Sequence, residues 1–165
     1  MLQLFLVLHV LGAIFVFGPS VAFTFLANEN RRMPGHGHFA AAVGDAIERK
    51  VVLPGAVVQG VTGVALIFIA GFDLTQPASR WLVGALVLYA IAIVFAFGVQ
   101  APNSAKMLEL TKTPPPAPQP GEMPKGPPPE IVALGGKLAR GGMFLTLLIV
   151  LIVILMVFGS NGVFG

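Results

Sequence analysis

One residue that could do chemistry in this chain lies in an unusual setting. His9 sits within LFLVLHVLGAIFVFG, inside an uncharged stretch that runs from residue 1 to residue 28. An imidazole nitrogen can ligate iron or copper, relay a proton, or form hydrogen bonds. Ionisable side chains inside so long an apolar segment are rare, and by default they suggest a functional site. His9 is therefore the first candidate site residue.

Four other residues, from two later apolar stretches, are candidates to surround His9. Gln59, Thr62 and Gly63 lie on nearly one face of a predicted helix, in LPGAVVQGVTG. A small and polar face of this kind usually packs against another helix and not against lipid. Tyr89 lies eight residues into the third stretch, which matches the depth of His9 in the first. We expect these four residues to shape a pocket around His9.

Three roles are open for His9. It hydrogen-bonds Tyr89 or a backbone carbonyl as a structural residue, it is the axial ligand of haem b or another tetrapyrrole iron, or it binds copper or relays protons. The first role predicts a non-catalytic accessory or scaffold protein, the second a membrane redox protein, and the third a copper-related permease. A second intramembrane histidine is missing, since His36 and His38 are predicted on the opposite side.

The positions of these residues depend on four uncharged stretches. A span needs roughly 20 apolar residues, and the backbone inside a bilayer must satisfy its own hydrogen bonds, which favours helices. The sequence therefore predicts an all-α fold, a single-domain four-helix transmembrane bundle. Its predicted spans are about 2–28, 51–72, 81–103 and 141–159.

Loops one and three add two further expectations. In loop one, Phe39, Val43 and Ile47 are spaced four apart, which predicts a short interfacial helix leading into the second span. In loop three, the proline-rich segment 111–129 predicts a disordered or semi-rigid linker. The fourth span is apolar on all sides, so we expect it to be the most lipid-exposed helix.

The distribution of charge predicts the orientation. Nine of the ten Lys and Arg residues lie in loops one and three, and short cytoplasmic loops are the ones enriched in Lys and Arg. We expect loops one and three in the cytoplasm of a bacterial inner membrane, with both termini outside. This asymmetry also explains the sequence pI of about 9.7. The expected partners are therefore the lipid bilayer and a second copy or a membrane complex, and not nucleic acid.

Composition excludes several classes of protein. The chain has no cysteine, which removes disulfides, iron–sulfur ligation and thiolate chemistry. Only 10% of its residues are charged, against roughly 25% in soluble domains. No Lys, Arg, Asp or Glu lies inside a predicted span, which argues against a pump or an ion-coupled transporter.

In all four spans, this chain resembles a domain-of-unknown-function family of predicted four-span bacterial integral membrane proteins. The segments are LHVLGAIFVFG, VVLPGAVVQGVTGVALIFIAGFDLT, WLVGALVLYAIA and GGMFLTLLIVLIVILMVFG. That family distantly resembles the CopD-type copper-resistance proteins and the HemJ-type protoporphyrinogen oxidases. The last resemblance implies a haem-associated histidine in an LHxxG setting, here His9, and a basic residue on the third span. The basic residue nearest to that span is Arg80, just outside it.

Overall fold

A computed structural model describes residues 1–32, 35–113 and 126–160. These described residues are mostly helical, because long apolar runs close their backbone hydrogen bonds within themselves. The helices are α1 (Leu2–Arg32), α2 (Gly37–Ile47), α3 (Leu53–Ala70), α4 (Arg80–Phe95), α5 (Ala101–Thr111) and α6 (Pro129–Ser160). Within the described residues, four stretches of helix are long and apolar enough to cross a membrane, which confirms the predicted all-α bundle.

Two π-helical turns join shorter helices into long ones. Glu48–Val52 connects α2 to α3, and Ala96–Gln100 connects α4 to α5. A proline follows each turn, in the first turn of α3 and of α5. A proline ring clashes with the carbonyl four residues earlier in an α-helix, and that carbonyl lies within the wider π turn in both cases. We infer that each π turn accommodates its proline without ending the helix.

The spans pack as two antiparallel pairs, α1 with α3 and α4 with α6. Near the turn between α3 and α4, a small apolar core of Ile67, Trp81 and Leu82 is covered by Leu155 of α6. The prediction that the fourth span is the most lipid-exposed helix is wrong. Leu148 and Ile152 of α6 are buried, because glycines near both ends of its apolar run let α4 approach closely.

The bundle extends well beyond a bilayer at one end. The joined helix 37–70 has 34 residues and is about 50 Å long, whereas the hydrocarbon layer is about 30 Å thick. Only a short turn separates α3 from α4, so the extra length lies at the opposite end. There α2, α5 and residues 129–140 pack together. We call these three segments the collar.

Two sequence predictions concern the collar: the interfacial helix of loop one and the proline-rich segment of loop three. The segment predicted as an interfacial helix leading into the second span is helical and continues into α3 through the first π turn, and it packs against α1 and α5. The proline-rich linker is flanked by the ends of α5 and α6, and its residues 114–125 lie outside the described residues. An ion pair of 2.8 Å between Lys106 and Glu130 joins the two flanking helices.

Candidate functional site

The α1–α3 contact contains most of the candidate site residues. On α1, His9, Gly12 and Val16 form one stripe at helical spacing. They face Gln59 and the small residues of α3 in antiparallel order. A Cβ placed at Gly55 would come within 2.7 Å of the Val16 side chain. Small residues therefore allow the two backbones to approach closely, as in other membrane helix contacts.

His9 uses both of its ring nitrogens within this contact. Its Nδ1 lies 3.0 Å from the Thr62 hydroxyl oxygen, and its Nε2 lies 3.1 Å from the Gln59 amide nitrogen. The Thr62 hydroxyl donates to the carbonyl of Val58 or of Gln59, each at 3.0 Å. That hydroxyl must therefore accept from His9 Nδ1–H, which leaves Nε2 as the acceptor for the Gln59 amide. The network assigns a neutral imidazole with its proton on Nδ1.

Gln59 and Gly12 close one side of the network. Gln59 and Thr62 are only 6% and 8% exposed. The Gln59 Oε1 atom is buried and has no hydrogen-bond partner in the described part of the chain. A Cβ at Gly12 would lie 2.5 Å from this oxygen, so only glycine leaves room for the amide. Gly12 was not among the candidate site residues predicted from the sequence, although its position three residues after His9 places it on the same face.

Gly63 lies beside His9, as the sequence predicts, whereas Tyr89 does not. A Cβ at Gly63 would come 3.0 Å from the His9 ring, so glycine there lets the imidazole lie against α3. Tyr89 donates its hydroxyl proton to the Ala56 carbonyl and packs its ring over Gly60. It therefore contacts a different face of α3 and bridges the two helix pairs. The expected hydrogen bond between His9 and Tyr89 is not among those of the described residues.

The arrangement does not fit His9 as an axial ligand of haem. An iron ligand needs a free nitrogen lone pair, and the Nε2 lone pair accepts from Gln59. Nδ1 carries the proton that is donated to Thr62. Iron could bind only if Gln59 left a buried position, and its amide would then lose its hydrogen bond to His9. Copper would need the same lone pair.

The groups gathered here are suited to joining helices. A histidine, a threonine and a glutamine together supply hydrogen bonds across the α1–α3 contact. Within residues 1–32, 35–113 and 126–160, no three His, Cys, Asp or Glu side chains are grouped so that they could hold a metal ion. The chemistry visible in this network is hydrogen bonding between neutral groups.

The comparison with known protein families agrees with this membrane architecture. No curated protein and no solved structure gives a significant match to the chain. One family model does match, over residues 3–159, and its description is a predicted integral membrane protein of the DUF2269 family. That match covers nearly the whole chain and agrees with the resemblance read from its four spans. The chain therefore belongs to the DUF2269 family of predicted integral membrane proteins.

Proposed function

We propose that the protein is a non-catalytic accessory or scaffold component of the bacterial inner membrane. One observation carries the proposal: both nitrogens of the intramembrane histidine are used in helix-to-helix hydrogen bonds. A catalytic base or a metal ligand needs a lone pair that the reaction partner can reach. His9 offers none in this arrangement, so its role is to hold α1 against α3.

The placement of charge supports the same function. The four predicted spans contain no Lys, Arg, Asp or Glu, the side chains on which ion-coupled transport and proton relays usually depend. Several charged residues of the collar form ion pairs instead, such as Lys106 with Glu130 at 2.8 Å. An accessory protein needs a stable bundle and a surface outside the bilayer for its partners. The collar and the proline-rich segment supply such a surface in this proposal.

The proposed orientation places the collar in the cytoplasm and the turn between α3 and α4 outside. The chain has no cysteine, so a single introduced cysteine reports its own side of the membrane. A maleimide that cannot cross the inner membrane is expected to label Ala78→Cys in intact cells. It is expected to label Thr113→Cys only after that membrane is opened. The reverse pattern would overturn the orientation.

The haem alternative rests on the first-span histidine and has a direct test. The protein is expressed with ample haem, purified in mild detergent, and measured by visible absorption in oxidised and reduced states. We expect no Soret band that depends on His9, because its Nε2 lone pair is already used by Gln59. His9→Ala is the variant to compare with the wild type.

Two outcomes separate the scaffold from a redox protein. Equal spectra for the wild type and His9→Ala, with no stoichiometric Soret band, support the scaffold. A stoichiometric Soret band in the wild type that disappears in His9→Ala would favour the haem alternative. Far-ultraviolet circular dichroism of both proteins establishes that the variant is folded. A copper titration of the same two samples, followed by bound metal per protein, tests the permease alternative.

A further inference from the structure

A groove between α4–α5 and α6 has a basic end and an aromatic end. Its volume is about 400 Å³, and its lining includes Asn103, Lys137, Arg140, Phe95, Val99 and Phe144. The polar residues lie toward the collar, and the two phenylalanines lie toward the bilayer, with ring centroids 4.9 Å apart. Eight residues separate Phe95 from Asn103, which corresponds to about 12 Å along a helix.

The basic residues of this groove differ from most others in the described chain. Arg32, Arg49, Lys106 and Lys112 each pair with a carboxylate. Arg140 donates its Nε proton to the Gly136 carbonyl, and within the described residues neither it nor Lys137 has a carboxylate partner. The groove lining contains no acidic residue. Two cations therefore face the same groove without a counter-charge from the described protein.

The position of the basic end of the groove matches the headgroup layer of a bilayer. Arg140 is the last charged residue before the fourth span, and Phe144 lies one turn deeper. The polar layer on each side of the hydrocarbon is several ångströms thick. Basic pockets between membrane helices at this level are typical sites for anionic lipid headgroups. The groove thus changes from cationic to apolar along the direction in which a phospholipid changes from headgroup to acyl chain.

The wall of the groove is fixed by the second π turn. Gln100, the last residue of that turn, donates its amide proton to the Leu138 carbonyl at 3.3 Å. Gly141 makes this possible, since a Cβ there would lie closer than 3.0 Å to the Gln100 side chain. The π turn therefore holds α4–α5 against α6 at the level where the lining changes from polar to apolar. Such turns often occur at functional sites.

A second groove offers an internal comparison. It lies beside α3, has a volume of about 330 Å³, and is lined by Arg49, Leu53, Pro54, Val57 and Phe97. Its only basic residue is ion-paired with Asp45. Charge complementarity to an anion therefore distinguishes the first groove.

We propose that the groove between α4–α5 and α6 binds one anionic phospholipid. The phosphate lies between Lys137 and Arg140, with the Asn103 amide as a further donor. One acyl chain runs along the apolar end of the groove. This inference does not depend on the proposed scaffold function, because it concerns a different face of the bundle.

Native mass spectrometry of the purified protein tests this site. Delipidated protein in mild detergent is titrated with phosphatidylglycerol or with phosphatidylcholine of the same acyl chains. We expect one phosphatidylglycerol to bind, with about tenfold preference over phosphatidylcholine. The double variant Lys137→Gln/Arg140→Gln is expected to lose that preference. The matched control Lys50→Gln/Lys112→Gln, which removes the same charge from the same end, is expected to keep it.

Two further arms separate a lipid from a free phosphate ion. Phe144→Ala leaves the charge unchanged and is expected to weaken phosphatidylglycerol binding several-fold, because the acyl chain loses its aromatic contact. Inorganic phosphate in millimolar excess is expected not to displace the lipid. Equal binding of the two lipids, or an unchanged preference in the Lys137/Arg140 double variant, would overturn the proposal. Displacement by inorganic phosphate together with an inert Phe144→Ala would make it a phosphate site and also overturn it. A melting curve for each variant confirms its fold, and the single variants decide the matter if the double variant does not fold.

Discussion

Replacing Gly159 by alanine is expected to lower the melting temperature of the detergent-solubilised protein by about 5 °C. A Cβ at this position would lie closer than 3.0 Å to three atoms of the Trp81 side chain. Alanine in a helix gains about 0.5–1 kcal/mol over glycine, whereas overpacking costs about 1–3 kcal/mol. The rigid indole packs with Ile67 and Leu155, so the cost of overpacking exceeds the gain by about 1–2 kcal/mol.

The chain offers both a control and an internal reporter for this change. Gly142, on the same helix, has nothing within 4 Å of an added Cβ, so Gly142→Ala is expected to leave the melting temperature unchanged or slightly higher. Trp81 is the only tryptophan, and its emission is expected to shift to longer wavelength in Gly159→Ala but not in Gly142→Ala. If both variants have the melting temperature and the emission wavelength of the wild type, α4 and α6 do not meet at this point.

The spans and their order could be predicted from the sequence because hydropathy is a one-dimensional signal. A helix that crosses a bilayer must be apolar over about 20 residues, and charged residues separate the four runs. The family resemblance rests on the same apolar segments and is confirmed by the match over residues 3–159. The two π turns were not predicted, although Pro54 and Pro102 are visible in the sequence. Whether a proline starts a helix or sits within a longer one depends on the helix that precedes it.

The choice of helix partners could not be predicted in the same way. A span that is apolar all round has no preferred face in hydropathy, and α6 was therefore assigned to lipid. Its contacts with α4 are made possible by Gly141 and Gly159, which lie near the ends of the apolar run. A glycine in the sequence indicates a possible close approach, but it does not identify the helix that approaches.

The sequence predicts how deep each candidate site residue lies in the bilayer, but it predicts only partly which side of its helix that residue occupies. Counting residues along antiparallel spans placed His9 at the level of Thr62 and Gly63, and the structure brings these three together. The same count placed Tyr89 at that level, but it gives no rotation about the helix axis. Each residue turns an α-helix by about 100°, so Gly60 faces Tyr89 while its neighbour Gln59 faces His9. A shift of one position along α3 therefore changes which residue is contacted, although the depth is nearly the same.

A double-mutant cycle between His9 and Gln59 is expected to give a coupling energy of about 1 kcal/mol. Hydrogen bonds between membrane helices contribute on average about 0.6 kcal/mol and at most about 1.7 kcal/mol, and this one is partly buried. His9→Ala alone is expected to cost about 2–3 kcal/mol, because it removes bonds to Thr62 and Gln59 and leaves a cavity. Gln59→Ala is expected to cost less in the His9→Ala background than in the wild type.

Free energies of unfolding for this cycle come from denaturation by sodium dodecyl sulfate in mixed micelles. The matched control is the cycle between His9→Ala and Tyr89→Phe, since Tyr89 bonds to Ala56 on another face of α3. Those two changes are expected to add within about 0.5 kcal/mol. A coupling of His9 to Tyr89, with none to Gln59, would contradict the observed network and restore the partner predicted from depth alone. It would also free the Nε2 lone pair of His9, on whose occupation the scaffold proposal depends.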